Sequence, residues 1–172
     1  MIAIFSDTHS NAGHELEGAP LEAVRDADAV IHAGDFTSLE ALEAFQSVCP
    51  VFYAVHGNAD SAAVRERLPT ARTVEEGGLR FALTHRRDGG ETALAMFGRS
   101  READVVVSGH THRPRVHDTG DVLLLNPGSH AQPRGNRPSF AVIDGDEQSG
   151  HYEGRLLQPD GTVFERFTIT LE

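Results

Sequence analysis

Short apolar segments recur along the chain, and polar residues follow each of them at once. The segments are MIAIF, ADAVIHA, VFYAV, LRFAL, ADVVV and DVLLL. They are short and rich in Val, Ile, Leu and Phe, which favours buried strands over helices. The polar residues that follow them are, in order, Asp7, Asp35, Asn58, His85, His110, and Asn126 with Ser129.

Stretches with apolar residues at helical spacing lie between these segments: PLEAVRDA, SLEALEAFQSV, SAAVRERL and ETALAMFGRS. Pro20 marks a predicted helix start and Ser38 a predicted N-cap. This alternation of strand and helix indicates an α/β fold with mostly parallel pairing. Towards the C-terminus apolar and polar residues alternate, and Asp144-Gly145 and Pro159-Asp160-Gly161 are typical of turns between antiparallel strands. We expect one domain over residues 1–172.

Composition narrows the class of protein. The formal net charge is −11, which argues against general binding to nucleic-acid backbone. All 15 basic residues are arginine, and no lysine occurs. An acidic chain without lysine favours a halophilic origin, although a GC-rich genome would also favour arginine. No apolar run is long enough for a membrane span and no signal peptide is evident, so we expect no membrane association and a cytoplasmic location.

Seven side chains that can bind a metal follow five of the apolar segments. They are Asp7, His9, Asp35, Asn58, His85, His110 and His112. In open α/β sheets, ligands bind beyond the carboxyl ends of strands, where these side chains would meet. Without thiolates, mixed carboxylate, imidazole and amide donors suit Mn²⁺, and also Ni²⁺, Fe²⁺, Zn²⁺ or Co²⁺. Seven donors exceed what one ion normally takes, so we predict two divalent ions that share a carboxylate.

Two local patterns support this prediction. Residues two apart in an extended segment point to the same side, which would let Asp7 and His9 reach one ion together. The same spacing would aim His110 and His112 at the same cluster, each at a different ion. Glycine precedes Asp35, Asn58 and His110 in the sequence, where it would allow sharp turns or a close approach of the backbone.

The ordered motifs resemble those of the calcineurin-like metallophosphoesterases, in particular the small single-domain phosphodiesterases of the YfcE type. The motifs are Asp7-Thr-His9, Gly34-Asp35, Gly57-Asn58-Ala-Asp60, Thr84-His85, Gly109-His110-Thr-His112 and Asn126-Pro-Gly-Ser129. The resemblance implies a four-layer α/β/β/α sandwich with mixed sheets and C-terminal antiparallel hairpins.

The resemblance also implies a ligand set and a reaction. One ion would be held by Asp7, His9, Asp35 and His112, and the other by Asp35, Asn58, His85 and His110, with Asp35 as the bridge. Such proteins hydrolyse small phosphodiesters, with a metal-bridging hydroxide as the nucleophile of an in-line attack.

Five other positions bear on how the substrate is bound and protonated. Arg134 matches a position where relatives often carry arginine, so a phosphate contact and a surface salt bridge both stay open. Ala59 replaces a histidine that larger relatives use to protonate the leaving group, which leaves the general acid unassigned; His56 is a candidate. Where small relatives often have His-Gly-His, this chain has His85-Arg86-Arg87. We hypothesise that Arg87 or Arg86 contacts substrate phosphate.

Other functions stay open from the sequence. One eukaryotic relative, the retromer subunit Vps29, uses the fold as a protein-binding scaffold without catalysis. A phosphomonoesterase or a nuclease would use the same donors, although the acidic charge argues against the nuclease. A homo-oligomer is also compatible with the sequence.

Overall fold

A computed structural model describes residues 1–49 and 51–171. The strands within these residues are β1 (Ile2–Phe5), β2 (Ala29–His32), β3 (Phe52–Ala54), β4 (Ala71–Glu76), β5 (Leu79–Thr84), β6 (Val105–Val107), β7 (Arg115–Asp118), β8 (Leu123–Asn126), β9 (Phe140–Asp146), β10 (His151–Leu157) and β11 (Val163–Thr170). The helices are α1 (Gly18–Asp26), α2 (Leu39–Val48), α3 (Ala62–Arg67) and α4 (Gly90–Arg99).

The strands form two mixed sheets. The first has the order β11-β10-β9-β1-β2-β3, with β1, β2 and β3 parallel and the C-terminal strands antiparallel. The second has the order β4-β5-β6-β8-β7, with a parallel centre and antiparallel strands at both edges. The predicted α/β class and the C-terminal antiparallel hairpins are confirmed.

Alternation along the central strands explains the layers. On β1, Ile4 packs against the second sheet together with Leu83 and Val107. The next residue, Phe5, faces the other way and packs against Phe45 of α2. On the far side, α4 covers the second sheet through a third apolar cluster. The result is the predicted α/β/β/α sandwich, because each sheet has two apolar faces to bury.

The helix boundaries partly follow the sequence signals. The Ser38 hydroxyl accepts a hydrogen bond from the Ala41 N–H at 3.1 Å, which confirms the predicted N-cap of α2. Helix α1 begins at Gly18, so Pro20 lies inside its first turn, where proline is tolerated because the first N–H groups lack intrahelical partners. No helix among the described residues is both long and apolar enough to span a bilayer.

The turn predicted at Asp144-Gly145 is wrong. Both residues lie within β9, where Asp144 pairs with Glu153 and Gly145 with Tyr152. A Cβ on Gly145 would lie 2.2 Å from the Tyr152 ring, so this glycine makes room for an aromatic side chain. The turn follows Asp146, whose carbonyl accepts the Ser149 and Gly150 N–H groups. Pro159-Asp160-Gly161, by contrast, does lie in the turn between β10 and β11.

Candidate metal centre

The seven predicted donors lie at one edge of the sandwich, where the carboxyl ends of five strands meet. The first sheet contributes Asp7 and His9 after β1, Asp35 after β2 and Asn58 after β3. The second sheet contributes His85 after β5 and His110 and His112 after β6. Four of these side chains, those of Asp7, Asp35, His85 and His112, are almost completely buried. Buried polar groups of this kind need partners.

Asp35 occupies the middle of the cluster. Its Oδ2 atom lies 3.4 Å from His9 Nε2 and 3.2 Å from His85 Nε2. Its other oxygen, Oδ1, accepts a hydrogen bond from the Ala59 N–H at 2.8 Å. One carboxylate oxygen is therefore shared between two imidazoles that come from different sheets.

Asp35 lies between two groups of donors, Asp7, His9 and His112 on one side and Asn58, His85 and His110 on the other. In the first group, His9 Nε2 and His112 Nε2 are 3.2 Å apart, and His112 Nε2 lies 3.4 Å from Asp7 Oδ1. Asp7, His9 and His112 can together hold a cation, and so can Asp7, Asp35 and His85.

The amide of Asn58 completes the other side. Asn58 Oδ1 lies 3.1 Å from His85 Nε2 and 2.8 Å from His110 Nδ1. The geometry thus brings all seven predicted side chains together, with an oxygen donor next to every histidine.

Backbone carbonyls fix the tautomers of two histidines. His85 Nδ1 donates to the Ala33 carbonyl at 2.8 Å, and His112 Nδ1 donates to the Gln132 carbonyl at 2.5 Å. In the neutral rings the Nε2 lone pairs then point inward. His85 Nε2 faces Asp35 Oδ2. His112 Nε2 faces Asp7 Oδ1 and His9 Nε2. Facing acceptors without a proton between them are unfavourable unless a cation lies there, and second partners of this type are common for metal-binding histidines. The residues therefore fit a divalent ion.

The cluster shifts the pKa values of its own carboxylates in opposite directions. Burial raises the pKa of Asp7, although His85, the Ser6 hydroxyl and His112 oppose this. Burial also acts to raise the pKa of Asp35, but its contacts with His85, Ala59 and His9 outweigh burial and lower it to about 2. Asp35 therefore stays ionised at neutral pH.

The pKa values of the histidines also shift in different directions. Burial lowers the pKa of His9, opposed by Asp35 and supported by His112 and Arg134. Burial and the neighbouring His85 lower the pKa of His110. His85 differs, because Asp35 and Asp7 outweigh its burial and raise its pKa.

The backbone at five of the seven donors is not extended, so the predicted extended segments around residues 7–9 and 110–112 are wrong. Five donors have left-handed backbone angles, with φ between 46° and 71°: Asp7, His9, Asp35, His110 and His112. Left-handed non-glycine residues cost roughly 1 kcal/mol or more each and persist only where the surroundings hold them. Here the loops are tied together by hydrogen bonds such as Asp7 N–H to the Gly34 carbonyl and His9 N–H to the Asp35 carbonyl, both 2.9 Å.

Three glycines allow the loops to approach each other. A Cβ on Gly57 would lie 2.1 Å from Asp35 Oδ1, and a Cβ on Gly109 would lie 1.9 Å from Ser6 Oγ. A Cβ on Gly34 would lie 2.6 Å from the Gly57 N atom, and Gly34 also has a φ of +97°. The predicted close approach of the backbone is therefore confirmed at all three glycines, and the sharp turn at Gly34.

Asp60 holds two of the donor loops in place through hydrogen bonds to their backbone, although the sequence alone assigns it no role. Its carboxylate accepts the N–H groups of Asp35 at 3.0 Å, Gly57 at 2.7 Å and Thr37 at 2.7 Å. It therefore joins the loops after β2 and β3, which carry Asp35 and Asn58. Its place in the Gly57-Asn58-Ala-Asp60 motif was the available signal.

The end of β8 and the loop after it support the seven donors without contributing a donor of their own. Asn126 Nδ2 donates to the Gly109 carbonyl at 2.9 Å and to Thr111 Oγ1 at 3.1 Å. Ser129 Oγ donates to the Asp7 carbonyl at 2.7 Å. Asn126 and Ser129 thus hold the segments that present His110, His112 and Asp7.

The predicted substrate residues lie around the centre in different settings. Arg134 is exposed and close enough to His9 to help lower its pKa. The Arg87 guanidinium lies over the Phe97 ring of α4, 4.2 Å from its centroid, and Arg86 pairs with Asp88 at 2.8 Å. His56 lines a cavity that Asn58, His85 and Arg87 also line.

His130 is a partly buried histidine outside the donor cluster, and both of its ring nitrogens are shielded from solvent. Among the described residues, its two ring nitrogens have no hydrogen-bond partner, and the ring meets Phe5 edge-on, with the centroids 5.6 Å apart. Burial and the nearby His14 lower the pKa of His130 to about 4.

We expect His130→Phe to flatten the pH dependence of stability on the acid side. Between pH 6.5 and pH 4 the unfolded chain binds a proton that folded His130 does not, so the free energy of unfolding falls as pH falls. This loss amounts to about 3 kcal/mol by pH 4 in the wild type and is absent from the variant. Urea unfolding at several pH values tests this, with exposed His151→Gln as the control. Parallel pH curves for the wild type and His130→Phe would contradict the assignment.

Residues 1–148 match the calcineurin-like phosphoesterase superfamily domain. The chain belongs to this superfamily. It is 37% identical to a probable metallophosphoesterase of Methanothermobacter thermautotrophicus over 153 residues, which cover 86% of the chain and 88% of that protein. It is 30% identical to phosphodiesterase YfcE of Escherichia coli over 118 residues, 64% of the chain and 62% of YfcE.

Solved structures confirm the fold of the superfamily. A single mutant of Vps29 from Entamoeba histolytica superposes with a TM-score of 0.80 at 21% sequence identity, covering 98% of this chain and 99% of that one. The family match over residues 1–148 and the curated relatives confirm the expected resemblance to calcineurin-like metallophosphoesterases.

Proposed function

We propose that the protein is a dinuclear metal-dependent phosphodiesterase. The observation that carries this proposal is the position of Asp35 Oδ2, which lies 3.2 Å from His85 Nε2 and 3.4 Å from His9 Nε2, between the two groups of donors. A carboxylate shared in this way is the expected bridge between two ions. The superfamily membership and the name of the E. coli relative support a phosphodiester substrate.

The proposed ligands follow the two sides of Asp35. One ion would be held by Asp7, His9, Asp35 and His112. The other would be held by Asp35, Asn58, His85 and His110. Mn²⁺ suits this mixture of oxygen and imidazole donors, and Ni²⁺, Fe²⁺, Zn²⁺ and Co²⁺ are chemically compatible.

The chain prepares the centre for phosphate ester hydrolysis. When bound, a pair of divalent ions acts as a Lewis acid towards phosphate oxygens and lowers the pKa of water. The protein keeps Asp35 ionised and holds His85 and His112 in the required tautomer through backbone carbonyls. Arg134, exposed beside His9, would bind the negative charge of the phosphate, and Arg87 is a second candidate for this contact.

A protein-binding scaffold is the second candidate function, favoured by the likeness to Vps29. At 21% identity that likeness shows the fold alone. The complete set of seven donors favours the enzyme, because a scaffold has no need for carboxylates and imidazoles buried in contact. A phosphomonoesterase or a nuclease would share the centre, although the net charge of −11 disfavours a nucleic-acid substrate.

An activity screen with matched variants tests the proposal. We expect hydrolysis of bis(4-nitrophenyl) phosphate with Mn²⁺, loss of activity on chelation, and a fall of about 10²-fold or more in Asp7→Asn and His110→Ala, since each removes a proposed ligand. Exposed Asp160→Asn is the control. Purified protein that binds no Mn²⁺ and hydrolyses neither diesters nor monoesters would leave the scaffold as the better reading.

The same screen addresses the remaining predictions. Arg134→Ala and Arg87→Ala should raise KM more than they lower kcat if these guanidinium groups bind ground-state phosphate. Assays over a range of potassium chloride concentrations test the halophilic origin, and indifference of folding and activity to salt would remove its support. The cytoplasmic location and a homo-oligomeric state stay predictions.

A further inference from the structure

A cleft of about 270 Å³ opens beside the candidate metal centre. It lies between the first turns of α4, the end of β8 and the loop after β6. His85 and His110 line it, so the cleft begins where the proposed metal ligands end. A phosphate ester held at the centre would therefore have its organic group at the mouth of this cleft.

The floor of the cleft is apolar. Leu124 of β8 packs towards α4 and is buried beneath the cleft, and Leu94 of α4 is partly buried at its side. Leu125 also borders the cleft, but its side chain packs between the two sheets. Gly90 and Gly109 line the cleft without side chains, which leaves room for a flat group. A ring lying on Leu94 and Leu124 would be removed from water, and such burial is favourable in proportion to the apolar area covered.

The rim of the cleft is positively charged. Arg86, Arg87, Arg113 and Arg115 all line it. The acidic residue in the lining, Glu91, is already engaged by Arg115 and by His117, whose Nδ1 lies 2.7 Å from Glu91 Oε2.

Two of these arginines are available to a ligand. Arg86 is paired with Asp88, and Arg115 with Glu91. Arg113 is exposed and, like Arg87, forms no ion pair with the acidic side chains that the structure describes. In a chain with a net charge of −11, two uncompensated guanidinium groups at one cleft indicate an anionic occupant.

We propose that this cleft binds the organic group of the substrate, and that this group is an aromatic or nucleobase-like ring that carries a second negative charge. The ring lies on Leu94 and the floor of β8, and the charge meets Arg113. This inference rests on the proposed function, because the metal centre holds the phosphate to which the ring is joined. It narrows the substrate class to ring-bearing phosphate esters with an additional anionic group.

Calorimetric titration of the Mn²⁺-loaded protein with three phosphate monoesters tests the inference without relying on turnover. The probes are methyl phosphate, phenyl phosphate and 4-carboxyphenyl phosphate. We expect phenyl phosphate to bind about 10-fold more tightly than methyl phosphate, because the ring is buried. The added carboxylate should improve binding by about a further 5-fold.

Variants separate the two parts of the cleft. Leu94→Ala should lose most of the phenyl advantage, and Leu94→Met should keep it, which separates contact with the ring from damage to the fold. Arg113→Gln should lose only the carboxylate advantage. Arg137→Gln is the matched control, because Arg137 stacks on Phe164, away from the cleft.

Two outcomes would overturn the inference: equal affinity of the wild type for methyl and phenyl phosphate, or ratios that Leu94→Ala and Arg113→Gln leave unchanged. Diester hydrolysis in the same preparation separates this inference from the proposed function. Hydrolysis with equal affinities rejects the cleft and keeps the enzyme. Selective binding without hydrolysis supports the cleft and rejects the phosphodiesterase.

Discussion

Asp35→Asn is expected to lower Mn²⁺-dependent hydrolysis of bis(4-nitrophenyl) phosphate by at least about 10³-fold. Loss of a residue that merely orients a ligand costs about 10–100-fold, and the shared carboxylate should cost more. The Ala59 N–H, 2.8 Å from Asp35 Oδ1, decides the orientation of the new amide. The amide oxygen must face that N–H, so the NH₂ group takes the position of Oδ2 and faces His9 and His85. An NH₂ group cannot act as a ligand there.

Calorimetry with Mn²⁺ and circular dichroism complete this test. Asp35→Asn should lose tight binding of at least one ion and keep its secondary structure. Asp160→Asn, a change in an exposed turn between β10 and β11, should behave as the wild type. Two ions bound with unchanged affinity by Asp35→Asn would show that this carboxylate is not the bridge.

Gly109→Ala is expected to lower the free energy of unfolding by about 3 kcal/mol and to disrupt the centre at the same time. The added methyl would lie 1.9 Å from Ser6 Oγ and 2.7 Å from Asp7 Oδ2. These atoms form a hydrogen bond of 2.8 Å, and the Asp7 carboxylate also accepts the His110 N–H. The methyl must therefore move Asp7 or the loop after β6, and such overpacking costs roughly 1–3 kcal/mol before the lost hydrogen bonds are counted.

Two further variants, measured by urea unfolding, test whether the steric contact with Ser6 and Asp7 causes the loss of stability. Gly120→Ala introduces a methyl that meets no atom within 4 Å, but Gly120 has a φ of +91°, so only a backbone penalty of about 1 kcal/mol applies. Ser6→Ala combined with Gly109→Ala removes the Ser6 hydroxyl and should recover part of the loss. A midpoint for Gly109→Ala equal to that of the wild type would contradict the assigned contact.

The central strands and the donors were predictable because both depend on local sequence. A strand buried on two faces must be apolar along its whole length, as Val105–Val107 is, and a polar residue after it stands out. The edge strands β4 and β7 were not predicted, because their residues are half exposed and mostly polar and so lack an apolar run. The turn predicted at Asp144-Gly145 was wrong because glycine also occurs within strands where a neighbouring side chain, here that of Tyr152, needs the space.

The details of the centre depend on contacts between distant segments, which one sequence does not reveal. Asp60 resembles any acidic residue before a helix, and its three N–H partners come from the loops after β2 and β3. The left-handed conformations of Asp7 and His9 are imposed by hydrogen bonds to a loop about 25 residues away. The direction of Arg87 depends on where α4 places Phe97.

The division of donors between the sheets has a consequence for folding. The first sheet supplies both carboxylates, the amide and one imidazole, and the second supplies three imidazoles. Neither sheet alone presents enough ligands for a pair of ions, so tight binding can develop only after the sheets have docked. Bound ions would then link the two sheets, because each ion would take ligands from both. Removing the ions with a chelator would weaken the packing between the sheets before either sheet unfolded.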